Sequence, residues 1–160
     1  MSDSSANRSE DSPPLDEPWL RRYAQILGYL GWTPLPALLL LAWISPERTG
    51  QLFRVALLYS AVILSFLGGI QWGLAMVSRN PRIRLRRLVV SMVPSLWAVA
   101  ALLLPIMATL TVLVPGFALF LAYESLERGD QVYPGWYLPL RIRLTVLLIV
   151  ALSAWLPLTG

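Results

Sequence analysis

The chain has 160 residues, 56% of them hydrophobic, with a mean hydropathy of +0.61 and a formal net charge of +4. A water-soluble domain of this length cannot hide that much apolar surface, whereas a bilayer can, because lipid takes the place of a core. Cys, His and Lys are absent, which excludes thiolate and Schiff-base chemistry, imidazole acid–base catalysis and metal sites built from His or Cys.

No cofactor or metal is expected, and one bundle is expected, not two domains. The thirteen arginines do not point to nucleic acid. They sit beside apolar runs, where they orient a membrane protein and meet anionic lipid headgroups.

Residues 1–18 carry five acids, one Arg and three prolines and almost nothing apolar, so they cannot bury enough surface to fold and read as a disordered acidic tail on the cytoplasmic side. The remainder, 19–160, reads as a single membrane domain. Trp19, Arg21, Arg22 and Tyr23 form an interfacial anchor, after which 24–44 carries no charge and is long enough to span a hydrocarbon core. Pro34 and Pro36 near its middle predict a kink. A short turn at 45–51 leads to the second span, 52–78, the run around which the others are expected to pack. It ends at the connection 79–87, R-N-P-R-I-R-L-R-R, which suits a topological anchor between two spans better than a nucleic-acid patch.

Residues 88–123 contain no charge. One helix of that length would be roughly 54 Å long against a bilayer of ~30 Å, so the run must fold back. Pro105 is the natural turn, giving spans at 88–104 and 107–123 with internal prolines at Pro94 and Pro115. Glu124 and Arg128, four residues apart, predict a weak surface ion pair on a helix that projects past the membrane. Tyr133, Trp136 and Tyr137 suit the headgroup layer, with Arg141 and Arg143 snorkelling there. The last span is 140–158, with Trp155 near the far surface. Counting arginines over five spans gives eleven on the N-terminal side and two, Arg48 and Arg54, on the other. The positive-inside rule then places the N-terminus in and the C-terminus out.

Two constellations stand out in the second span. Ala61, Ser65, Gly69 and Gly73 recur every four residues, a small-residue stripe that lets backbones approach in lipid. It suits homodimerisation or, more readily, packing against another span of the same chain, which supplies four candidate partners. Ser60, Gln71, Ser91 and Ser95 form a candidate polar line across the second and third spans, readable as a solute path or as hydrogen-bonding glue between helices. Gln71 and Ser95 sit at similar depth, roughly 10 Å in from the same side. Gln71 is therefore expected to face the third span and to bond Ser91, Ser95 or the carbonyl of Val90, freed by Pro94.

The segments S-F-L-G-G-I-Q-W-G (65–73), V-P-S-L-W-A-V-A-A-L-L-L-P (93–105) and W-Y-L-P-L-R-I-R-L-T (136–145) resemble an uncharacterised bacterial membrane family that includes the eukaryotic mitochondrial transmembrane protein 69. The resemblance covers nearly the whole chain after the acidic tail. It implies a small multi-pass protein without catalytic residues to carry over, and marks Trp136, Tyr137, Arg141, Arg143 and Thr145 as interfacial motif residues. Members of that family usually have His where this chain has Gln71, which puts in doubt any family role that needs an imidazole.

The expected fold is thus all-α, an integral membrane bundle of five transmembrane helices in the bacterial cytoplasmic (inner) membrane. The expected role is a non-enzymatic accessory, assembly or scaffold protein. Its expected partners are anionic lipid headgroups and either a second copy or another membrane protein. A small-solute transporter or channel built on the polar line is the alternative. A membrane enzyme is the weaker one, because five of the nine acids lie in the tail.

Overall fold

Apolar chain in lipid has no water to satisfy its amides, so it must close its hydrogen bonds within each segment as helix. The computed structural model, which describes residues 18–127 and 133–159, does so throughout. Its elements are α1 (Pro18–Trp32), α2 (Pro34–Ile44), a 3-10 turn (Pro46–Arg48), α3 (Thr49–Val77), α4 (Pro81–Leu102), α5 (Ile106–Leu126), α6 (Tyr137–Ser153) and a last turn α7 (Leu156–Thr159). Among the described residues, five helical stretches are long and apolar enough to cross a membrane: Pro18–Ile44, Pro46–Val77, Pro81–Leu102, Ile106–Leu126 and Tyr137–Leu158. The protein is a multi-pass membrane protein with an all-α bundle. Of the tail expected over 1–18, residues 1–17 lie outside the described residues, and Pro18 opens α1.

The kink expected from Pro34 and Pro36 is a break at Thr33, between α1 and α2. The Thr33 hydroxyl donates to the Leu30 carbonyl at 2.7 Å, partnering an acceptor at the end of α1. The turn at Pro105 and the internal prolines Pro94 (α4) and Pro115 (α5) lie where the sequence puts them. Thr109 closes that turn, its Oγ1 donating to the Ala101 carbonyl at 3.0 Å.

The basic segment 79–87 is not a loop. Only Ser78, Arg79 and Asn80 connect the helices, and Arg82, Arg84, Arg86 and Arg87 lie in the first turns of α4. The local signals explain it. Asn80 Oδ1 accepts from the Arg82 backbone N–H at 3.0 Å, and Pro81 occupies the first helical position, a favourable N-terminal pair. Four arginines at the positive end of a helix dipole are unfavourable by themselves. Acceptors from neighbouring segments offset this: Arg84 Nη2 donates to the Ser78 carbonyl at 2.8 Å, and Arg86 pairs with Glu127.

α3 is the central helix, packed against α2, α4, α5, α6 and α7. Its buried residues Phe53, Ala56, Leu57, Ser60, Ala61, Leu64, Leu67, Gly68, Gln71 and Ala75 follow the 3.6-residue period of one face. The core continues through Leu113 and Phe117 of α5 and Leu148 and Leu152 of α6. Trp155, expected at the far end of the last span, is fully buried there and stacked on Phe53 of the first turns of α3 at 5.2 Å between ring centroids. An apolar indole gains more against a core phenylalanine than at the surface, provided the chain turns back, and the break between α6 and α7 turns it.

The small-residue stripe does not pack along its whole length against another span of the same chain. Ala61 is buried and Ser65 half-buried, but Gly69 and Gly73 are exposed, and a Cβ built on either meets nothing within 4 Å. The close approach belongs to the neighbouring Gly68. A Cβ there would run into the Ser91 carbonyl of α4 and come 3.4 Å from Pro94 Cγ. Gly116 does the same between α5 and α4, where a Cβ would lie 2.6 Å from Trp97 Nε1. That indole N–H donates to the Val112 carbonyl at 2.9 Å.

Candidate functional site

At one end of the bundle charged residues of several helices converge. α3 and α5 end, and α4 and α6 begin, at the arginine-rich end of the bundle. Glu124, in the last turn of α5, is 3% exposed, and Arg141, one turn into α6, is 7% exposed. Arg141 Nε lies 2.9 Å from Glu124 Oε2. The other carboxylate oxygen accepts from the Tyr137 hydroxyl at 3.0 Å and, more weakly, from Gln71 Nε2 at 3.5 Å. Gln71 Nε2 also donates to the Tyr133 hydroxyl at 2.7 Å. The Tyr133 and Tyr137 rings stack at 4.7 Å, nearly parallel. Arg141 Nη1 reaches Thr145 Oγ1 at 3.4 Å. One carboxylate therefore gathers α3, α5, α6 and the segment before α6.

A second acid sits beside it. Glu127 pairs with Arg86 of α4 and accepts from the Tyr123 hydroxyl at 2.8 Å. Arg87 is fully buried nearby. Burial pushes the Tyr133 phenol up from its ordinary value; the Gln71 hydrogen bond opposes that rise, and the Glu124 carboxylate adds to it. Tyr133 therefore stays protonated and neutral at physiological pH. Cationic and phenolic donors surround Glu124, a setting that satisfies a carboxylate and repels a metal ion.

Several expectations change here. Glu124 is not a surface residue and its partner is Arg141; Arg128 lies outside the described residues. Arg141 and Tyr137 turn inward, while Arg143 is exposed. Thr145 is buried, and Trp136 half-buried. Gln71 is buried as expected but bonds Tyr133 and Glu124 and not the third span. The reason is competition: a carboxylate and a phenol are stronger partners than a hydroxyl already engaged within its own helix. Ser91 donates to its own Leu88 carbonyl at 2.7 Å and Ser60 to its own Ala56 carbonyl at 2.8 Å. Ser95 is half-buried. The four residues of the polar line are not hydrogen-bonded to one another.

A sequence signal for the pair exists. Glu124 extends the buried series Leu110, Leu113, Phe117 and Phe120, and Arg141 begins the series Thr145, Leu148 and Leu152. Both stand at the three- and four-residue spacing of an inward face.

The profile of a family described as a protein of unknown function (DUF3429) matches residues 20–157. Transmembrane protein 69 of Xenopus tropicalis is 32% identical over 132 residues, which cover 81% of this chain and 51% of that protein. The chain thus spans about half the length of the curated relative it matches. No solved structure matches.

Proposed function

This chain belongs to the DUF3429 family of proteins of unknown function, which includes transmembrane protein 69, and from that premise we propose that it is a non-enzymatic accessory, assembly or scaffold protein of the bacterial inner membrane. One observation carries the reading. Glu124, buried near the end of its span, and Glu127, just past that end, are both engaged by arginines and tyrosines of the same chain, so these carboxylates are used to join helices. A carboxylate acting as general acid or base has to be open to a substrate. A solute path has to present its polar groups to a lumen, whereas Ser60 and Ser91 are bonded within their own helices.

Capture of the tagged full chain from native membranes is expected to bring down a membrane protein in fixed stoichiometry. Proteoliposomes of the purified chain are expected to show no solute flux that depends on Gln71. Flux of a defined solute that is lost on Gln71→Leu would replace this reading with a transporter.

The arginine-rich end faces the cytoplasm in this reading, with eleven arginines against two. A reporter active only outside the cytoplasm should work when fused after Gly160 and fail when inserted beside Arg79. The reverse pattern contradicts the orientation.

A further inference from the structure

A lateral groove of about 350 Å³ runs between α1, α3 and α6, within the size range of small-molecule sites. Its rim residues Leu27, Val62 and Phe66 are all more than half exposed, so in a bilayer it opens sideways to lipid. Arg141 and Thr145 line its shallow end, one to two turns into α6, and Leu148 lies deeper. Polarity therefore falls with depth, as it does in a lipid leaflet.

Two residues that line the groove carry buried donors with no acceptor among the described residues. Arg141 Nη2 has none, although Nε faces Glu124 and Nη1 reaches Thr145. Trp32 Nε1 also has none. Gly28 packs on Leu144, which sets the two parallel helices in register and puts Trp32 about a turn below that contact. Buried donors of this kind call for an acceptor. Charge selects it. Arg86, Arg87 and Arg141 outnumber Glu124 and Glu127 in the cluster, and Arg21, Arg22 and Arg143 stand exposed at the same end of α1 and α6. Basic pockets between spans on the positive side suit phospholipid phosphates.

We propose that this groove is a binding site for one anionic phospholipid of the surrounding leaflet. An acyl chain lies along Gly31, Phe66 and Leu148, the phosphate accepts from Arg141 Nη2, and an ester carbonyl below it accepts from Trp32 Nε1.

Gly31 supplies a test that spares the ion pair. It lines the groove, and a Cβ built on it meets nothing within 4 Å, so Gly31→Leu starts from open space and puts its side chain into the groove. Val62→Trp, on the exposed rim, covers the mouth and decides the matter if Gly31→Leu fails to fold by circular dichroism. Native mass spectrometry of the purified full chain should show phosphatidylglycerol retained in preference to phosphatidylcholine of the same chains. Either groove variant should retain about tenfold less. Unchanged retention in both variants overturns the site. Equal retention of phosphatidylcholine overturns the anionic headgroup. Displacement by oleate at equal concentration overturns the phospholipid in favour of a single-chain carboxylate. A dimer that both variants abolish overturns it in favour of a second copy.

Discussion

Removing the charge of Glu124 is expected to destabilise the bundle by about 3–5 kcal/mol, because it leaves a buried guanidinium without its counter-ion. Glu124→Gln is the informative change, since it keeps the shape and replaces only the carboxylate. The variant has to hold Arg141 at 7% exposure with a neutral amide, and it presents an amide N–H₂ to donors that needed an acceptor. Unfolding in mixed micelles, followed by helical circular dichroism, reads the effect. The exposed pair Glu47–Arg48, with side chains 68% and 69% exposed, makes the comparison. Glu47→Gln should change nothing measurable, as is usual for a solvated pair. The reverse ranking, with Glu47 mattering more, would mean that burial is not what gives the Glu124 contact its weight.

The second large effect is steric. Gly68→Ala should cost about 1–3 kcal/mol, the usual range for overpacking a close-packed contact. The added methyl meets the Ser91 carbonyl and Pro94, both parts of α4 that can yield only if the helices separate. Gly69→Ala, one residue along, meets nothing within 4 Å and should be neutral or stabilising by about 0.5–1 kcal/mol through helix propensity. The same micelle titration distinguishes them. Equal effects at the two positions would mean that the face of α3 turned to α4 is misassigned.

Those neighbouring glycines show what the sequence could and could not reveal. The number of spans follows from the lengths of apolar runs and from where arginines and prolines interrupt them. Pro105 and the Pro34–Pro36 pair mark a turn and a break for covalent reasons that hold in any surroundings. The phase of a helix face is harder to read. A strict four-residue stripe advances about 40° per step on a helix of 3.6 residues per turn. The series Ala61, Ser65, Gly69 and Gly73 therefore winds from the core to the lipid, and Gly68 takes the place that Gly69 was expected to hold. A membrane helix also gives little contrast between its faces, because residues turned to lipid and residues turned to the core are equally apolar.

Gln71 is a different case. Its burial was legible from a single amide in an apolar span, but its partners were not. Tyr133 and Glu124 lie 62 and 53 residues away in sequence, and only the three-dimensional arrangement of α3, α5 and α6 ranks them above the nearby serines. Glu124 and Arg141 looked interfacial because each stands near the end of an apolar run. Their places in the inward series of α5 and α6 were the better guide.

Glu124 and Arg141 act on each other, and a double-mutant cycle measures that directly. Glu124→Gln, Arg141→Met and the double variant, unfolded under identical conditions, give the coupling energy of the pair. About 2–3 kcal/mol of favourable coupling is expected, with the double variant markedly more stable than the sum of the single losses implies. Additivity to within about 0.5 kcal/mol would contradict it.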